Sequence, residues 1–205
     1  MIQAFTHTKI SKEEISQMEI EEFKGRIITI LSVEEANKAV SYLQKFSILG
    51  IDTETRPCFH KGKSYIVSLL QISTFDTCFL FRLNHIGMPE SLLKLLQSES
   101  ILKVGLSLRD DFNALRKRAA SIDPANYIDL QKMVGDFGIE EFSLQKIYAI
   151  IFGKKISKRQ RLTNWEADTL TEPQKKYAAL DAWACLNIYQ HLNQATFETR
   201  INEAL

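Results

Sequence analysis

The chain has 205 residues and a mass of 23.5 kDa, which fits one domain rather than two. Hydrophobic residues make up 45% of it and charged residues 25%, which excludes disordered, collagen-like and low-complexity fibrous proteins. The 26 Lys and Arg residues nearly balance the 25 Asp and Glu residues, so a net charge of +1 provides no strong global field for nucleic acid.

The N-terminal part of the chain is predicted to be helical and then to enter a sheet. Ser11 followed by Glu14 has the spacing of a capping box, which predicts a helical lead-in over residues 1–25. The β-branched run over residues 26–31 predicts a strand, and with it the start of a single domain over residues 26–205.

Strands and helices then alternate along the chain. The almost continuously apolar run over residues 65–73 predicts a strand buried on both faces. The other predicted strands are 48–52, 77–81, 101–104 and 127–130, and the predicted helices follow Ser32 and Pro89 and span 108–118, 131–136, 143–152 and 173–194. We therefore predict an α/β fold of three layers, α/β/α, with a mixed central sheet and a helical C-terminal third.

The cysteines and the longest apolar runs indicate the compartment. Cys58, Cys78 and Cys185 are odd in number and widely spaced, which predicts free thiols rather than a disulfide framework or a zinc site. No apolar run approaches the about 18 residues of a membrane-spanning helix, and the N-terminus lacks the layout of a secretory signal. We expect a cytoplasmic protein without membrane contacts.

Two acidic residues, Asp52 and Glu54, follow an apolar segment at the end of a predicted strand. Because side chains alternate along a strand, the two carboxylates point to the same side, about 7 Å apart. Like charges this close favour a cation between them, and Mg²⁺ and Mn²⁺ prefer such oxygen ligands. Two solvated acids at the start of a loop would give the same pattern, and this alternative stays open.

Two further acidic spots lie on predicted helices. Asp110 and Asp111 stand in the first turn of a helix, where the helix dipole favours acids whatever their function. Tyr177 and Asp181 are four residues apart and therefore share one face of the C-terminal helix. Their alanine neighbours would let this face approach the sheet closely.

Taken in order, these segments resemble the DEDD superfamily of 3′-5′ exonucleases, in the branch with tyrosine in its last motif that includes ribonuclease D and the Werner syndrome helicase exonuclease domain. The resemblance covers roughly residues 27–192. The matching segments are Asp52-Thr53-Glu54 with residues 69–73 after it, residues 105–115, residues 163–167 around Trp165, and residues 177–182.

The resemblance implies a ribonuclease-H-like fold and a metal-dependent enzyme. It implies hydrolysis of phosphodiester bonds at nucleic-acid 3′ ends with release of nucleoside 5′-monophosphates. Two Mg²⁺ or Mn²⁺ ions would be held by four carboxylates, which by position are Asp52, Glu54, Asp111 and Asp181. Tyr177 would orient the attacking water, because a phenol with a pKa of about 10 is a poor base at neutral pH.

The resemblance also distinguishes neighbouring residues. Asp111, and not Asp110, lies six residues after Gly105 and four before Leu115, as the metal-binding acid of the family does. The sister branch has a histidine five residues before the last acid, where this chain has Lys176.

The basic run over residues 154–161 leads into the segment around Trp165. Candidate substrate contacts lie in and beside the matching segments. They are Thr53, Arg56, His60, Lys61 and Lys63, together with Phe59 and Trp165 as rings that would stack on a base. Basic runs are also common on solvated surfaces, so that alternative stays open. With so few phosphate contacts, binding is expected to be weak and dependent on salt.

The expected partners are single-stranded or overhanging 3′ ends of DNA or RNA, and the sequence leaves the choice of sugar open. We expect an exonuclease module without the additional nucleic-acid-binding domains of ribonuclease D. The competing hypothesis is a non-catalytic module on the same fold that binds nucleic-acid ends. Such a module has no need of clustered, mutually repelling carboxylates.

Overall fold

The computed structural model describes residues 8–60, 62 and 64–204, with side chains as far as residue 194. Six strands form one sheet, namely β1 (Arg26–Ile30), β2 (Ile48–Glu54), β3 (Leu69–Ser73), β4 (Thr77–Phe81), β5 (Leu102–Gly105) and β6 (Tyr127–Asp129). Their order across the sheet is β1-β4-β3-β2-β5-β6. Strand β3 is antiparallel to both of its neighbours, and the remaining pairs are parallel, so the sheet is mixed as predicted.

Helices cover both faces of this sheet. They are α1 (Lys12–Gln17), α2 (Val33–Leu43), α3 (Leu83–Ile86), α4 (Glu90–Gln97), α5 (Leu108–Arg116), α6 (Leu130–Met133), α7 (Leu144–Phe152) and α8 (Glu172–Ala204). Buried residues of α2, α4 and α5 pack on one face, and those of α6, α7 and α8 pack on the other. The three-layer α/β/α prediction is therefore confirmed. None of the described helices combines the length and the apolar character that crossing a bilayer requires.

Helix α8 lies very close to the middle of the sheet because small residues line the contact. Ala178, Ala179 and Ala182 are fully buried, and β2 presents Gly50 to them. A Cβ atom on Gly50 would lie 2.1 Å from the backbone oxygen of Ala182. Only glycine at this position permits the observed separation between helix and sheet.

The N-terminal segment packs against the rest of the chain. Residues 1–7 of the predicted lead-in lie outside the described residues, and α1 begins with the predicted capping box. The backbone N–H of Glu21 donates to the carbonyl of Lys155 at 2.9 Å, and Phe23 is buried in the core. A domain boundary between residues 25 and 26 stays a prediction.

Several elements differ from their predicted form: β2 runs on to Glu54, the helix predicted over 131–136 divides into α6 and the 3₁₀ helix Val134–Phe137, and α8 runs on to Ala204. The strand predicted from residue 65 begins at Leu69, because Leu69 pairs with Glu54 at the end of β2 and the residues before it lie beyond the paired part of the sheet. Helix α3 was not predicted, since a single turn is too short to show a helical period.

A buried lysine in β5 predicts a pH dependence of stability. The Lys103 ammonium is fully buried and donates to the carbonyls of Ser98 and Ile101 at 2.5 and 2.9 Å. Burial lowers the pKa of Lys103 to about 8, whereas the pKa of a lysine in the unfolded chain is about 10.4. Between these values the unfolded chain binds more protons, so this residue makes stability rise with pH.

We expect Lys103→Met to remove that contribution. Thermal melting at pH 7 and pH 9.5 should show the wild type gaining stability relative to the variant at the higher pH. Parallel melting temperatures of the two proteins at both pH values would contradict the prediction.

Candidate active site

Three carboxylates meet between β2 and α8. Asp52 and Glu54 lie at the carboxyl end of β2, and their alternation along the strand places both on the face that α8 covers. Asp181 lies on α8, directly before the alanine that rests on Gly50. Carboxylate oxygens of the three residues lie within 4.8 Å of one another. The close packing of α8 on β2 therefore brings Asp181 to the strand.

Asp111 approaches this group from the opposite layer of the fold. It lies in the first turn of α5, and its Oδ1 accepts a hydrogen bond of 2.6 Å from the Thr53 hydroxyl. Because Thr53 alternates with Asp52 and Glu54, its side chain leaves β2 on the α5 side. The predicted substrate contact Thr53 is therefore engaged in holding Asp111. The neighbouring Asp110 is exposed.

The four carboxylates are costly to ionise. Burial is the largest cause and raises the pKa of Glu54 to about 9 and the pKa values of Asp111 and Asp181 to about 7. Burial followed by the charges of Asp111 and Asp181 raises the pKa of Asp52 well above its ordinary value. A cation between the carboxylates would remove this penalty.

The donor set fits a hard divalent cation. Asp181 Oδ1 is buried and has no hydrogen-bond partner among the described residues. An orphaned carboxylate oxygen beside two further carboxylates is the kind of ligand set that Mg²⁺ and Mn²⁺ take. The residues present therefore fit the metal that the sequence predicted.

Tyr177 lies one helical turn before Asp181 on α8, and its phenol faces the Asp181 carboxylate. Burial, followed by the charges of Asp181 and Glu54, raises the pKa of the phenol. The phenol therefore stays protonated at neutral pH, which fits a group that orients a water and not one that takes its proton.

Trp165 does not fit the stacking role predicted for it. Its ring is fully buried and lies 6.1 Å from the Tyr177 ring, between centroids. Burial beneath α8 leaves no exposed face for a base. The tryptophan instead supports Tyr177 from within the core.

The loop after β2 contains the other predicted substrate contacts. Arg56 forms an ion pair of 3.3 Å with Glu166 and lies 4.7 Å from the centroid of the Tyr65 ring. His60 is exposed, and Lys61 and Lys63 lie outside the described residues. Phe59 is 78% exposed at the edge of a depression of about 260 Å³ that Arg56, Tyr65 and Leu162 also line. An exposed ring beside such a depression is available for stacking.

Two residues of the basic run 154–161 face the carboxylates. The ammonium of Lys158 opposes the effect of burial on the pKa of Asp181, and the guanidinium of Arg161 does the same for Glu54. The sequence indicated this run only as a charged segment, since nothing local showed which of its side chains point toward the acids.

A family model described as 3′-5′ exonuclease matches residues 27–196. The chain belongs to this exonuclease family. It is 32% identical over 152 residues, 71% of its length, to the bifunctional 3′-5′ exonuclease/ATP-dependent helicase WRN of Mus musculus. It is also 34% identical over 160 residues, 76% of its length, to exonuclease 3′-5′ domain-containing protein 2 of Drosophila melanogaster. The chain spans 11% of the first relative and 27% of the second.

Solved structures of this exonuclease family share the fold. The Nibbler EXO domain of Aedes aegypti superposes with a TM-score of 0.76 at 22% identity, over 87% of this chain and 94% of that one. Escherichia coli RNase D gives a TM-score of 0.73 at 21% identity, over 85% of this chain and 46% of that one. The ribonuclease-H-like fold that the family resemblance implied is confirmed.

Proposed function

We propose that the protein is a metal-dependent 3′-5′ exonuclease of the tyrosine-containing branch, which shortens nucleic acids from their 3′ ends and releases nucleoside 5′-monophosphates. The observation that carries the proposal is the meeting of Asp52, Glu54 and Asp181 within 4.8 Å in a chain of the exonuclease family. Asp111, whose charge acts on Asp52 and Glu54, would complete the four-carboxylate set from the α5 side.

These four residues would hold two Mg²⁺ or Mn²⁺ ions. When bound, such ions lower the pKa of a water and stabilise the attacking and leaving oxygens of an in-line phosphodiester displacement. Thr53 keeps the Asp111 carboxylate oriented through its hydrogen bond.

The remaining residues bind and orient the substrate. Tyr177 would orient the attacking water by its protonated hydroxyl, beside the Asp181 carboxylate. Lys158 and Arg161 face the carboxylates and would attract the phosphates of the 3′-terminal nucleotides. Phe59 would stack on a base near the end of the strand.

The proposed substrates are single-stranded or overhanging 3′ ends of DNA or RNA. Trypanosoma brucei RNase D, whose structure in complex with RNA U12 is solved, shares the fold with a TM-score of 0.70. Arg56 and His60 line the same depression as Phe59 and would contact the substrate there, and Lys61 and Lys63 stay candidates from the sequence. A non-catalytic end-binding module is disfavoured, because the buried carboxylates destabilise the fold unless a cation offsets their charge.

The function is tested with 5′-labelled single-stranded RNA and 3′-overhang DNA, each incubated with the protein and Mg²⁺, Mn²⁺ or EDTA. We expect ladders that shorten from the 3′ end with either metal and disappear with EDTA, and a comparison of the two polymers gives the sugar preference. Intact RNA and DNA in the presence of a metal that the protein demonstrably binds would contradict catalysis and favour the end-binding module.

The pair Asp110 and Asp111 provides a matched test within one helical turn. We expect Asp111→Asn to lower kcat by about 10²-fold or more, because it removes a charged ligand of the proposed metal centre. Asp110→Asn makes the same chemical change on an exposed residue and should keep nearly full activity. Comparable losses in both variants, measured by degradation of labelled oligonucleotide, would argue against the assignment of Asp111.

A further inference from the structure

Gln71 is a polar residue in the middle of the sheet, beside the carboxylates. It lies in β3, directly opposite Asp52 of β2 in the antiparallel register. Directly opposite residues of neighbouring strands point to the same face, with Cβ atoms about 4.5–5.5 Å apart. The Gln71 side chain therefore lies next to Asp52 in the layer that α8 covers.

The Gln71 amide has no hydrogen-bond partner among the described residues. Its side chain is 0% exposed, and both Nε2 and Oε1 are unpaired. Buried amides are normally satisfied, as Gln174 shows. That residue is 5% exposed, and its amide bonds to Thr163 and Thr171 and to the carbonyl of Asn164. The unpaired amide therefore indicates that Gln71 has a hydrogen-bond partner in the functional state and does not serve only to fill space in the core.

The strand register offers one polar candidate for that partner. On the β4 side, Gln71 is opposite Leu80, which offers no polar side chain. Ser73, the next β3 residue on the same face, uses its hydroxyl to donate to the carbonyl of Thr74 at 2.7 Å. Of the two residues directly opposite Gln71, only Asp52 is polar.

We propose that Gln71 is a positioning residue of the metal centre, whose amide N–H donates to the Asp52 carboxylate, directly or through one buried water, and fixes its orientation toward the cation. This inference rests on the proposed function. Hydrogen bonds to a ligating carboxylate from outside the ligand set restrict its rotation and sharpen metal binding. Once Asp52 is ionised and held by a metal, the amide gains the charged acceptor that its unpaired donor lacks.

A positioning role and a structural role predict different results for an apolar replacement. Removing an amide that makes no hydrogen bonds does not weaken the fold, and it removes a buried polar group. The same replacement leaves Asp52 without its orienting donor. A positioning role therefore predicts that the replacement lowers metal affinity without lowering the stability of the metal-free fold.

The test compares Gln71→Met with Gln174→Met in the full chain, since methionine matches the length of glutamine. The probe is Mn²⁺ alone, titrated by calorimetry, together with thermal melting in EDTA. We expect Gln71→Met to melt at or above the wild-type temperature and to bind Mn²⁺ about 10- to 100-fold more weakly. Gln174→Met should melt at a lower temperature and keep its Mn²⁺ affinity.

Wild-type Mn²⁺ affinity in Gln71→Met would overturn the inference and leave the proposed function standing. Equal losses of Mn²⁺ affinity and melting temperature in both variants would also overturn it, because general destabilisation of the fold would then explain the weaker binding. If methionine does not pack, Gln71→Leu repeats the measurement. Absence of Mn²⁺ binding by the wild type would overturn the proposed function itself.

Discussion

Asp181→Asn is expected to abolish degradation of labelled oligonucleotides while stabilising the metal-free protein. The loss in kcat should be about 10³-fold or more, since a metal centre contributes several kcal/mol and each factor of ten corresponds to about 1.4 kcal/mol. Asp181 is buried among carboxylates that repel it, and its Oδ1 is unpaired among the described residues. Removing this charge should raise the melting temperature in EDTA by a few degrees, at about 2–4 °C per kcal/mol.

The prediction for Asp181→Asn is specific because activity should fall while the melting temperature of the metal-free protein rises. Asp136→Asn, the same change on an exposed residue of the 3₁₀ helix Val134–Phe137, serves as the control and should alter neither quantity. Added Mn²⁺ should stabilise the wild type and have little effect on Asp181→Asn. Retained activity in Asp181→Asn, or a lower melting temperature in EDTA, would be incompatible with a carboxylate metal centre.

Gly50→Ala is expected to destabilise the fold strongly. The added Cβ would lie 2.1 Å from the carbonyl oxygen of Ala182, and neither backbone can yield as a flexible side chain would. Overpacking of this kind costs about 3 kcal/mol. Because Ala182 follows Asp181, separating α8 from β2 should also displace that carboxylate and lower kcat.

Gly135→Ala is the matched control, since a Cβ there has no atom within 4 Å. Its free energy of unfolding should be unchanged or slightly higher, because alanine reduces the freedom of the unfolded chain. Urea unfolding of both variants measures the difference. A Gly50→Ala protein as stable as Gly135→Ala would show that the close approach of α8 is not required.

Local patterns were sufficient for the parts of the site that lie within one element. Alternation along β2 placed Asp52 and Glu54 on one face, and the helical period placed Tyr177 beside Asp181. The apolar run around Gln71 predicted a central strand, and β3 is central and buried throughout. These features depend only on the repeat of the backbone, which neighbouring residues determine.

Only the tertiary structure decided the burial, the hydrogen bonds and the strand register of the site residues, because these depend on contacts between distant segments. The sequence alone determined the fold class, the exonuclease resemblance and the order of the acidic motifs. It did not show that Trp165 is buried, that Thr53 holds Asp111 from the far side of the sheet, or that Gln71 lies unpaired opposite Asp52. Exposure and hydrogen bonding are properties of packed layers, and strand register and helix placement arise only when elements far apart in the chain meet.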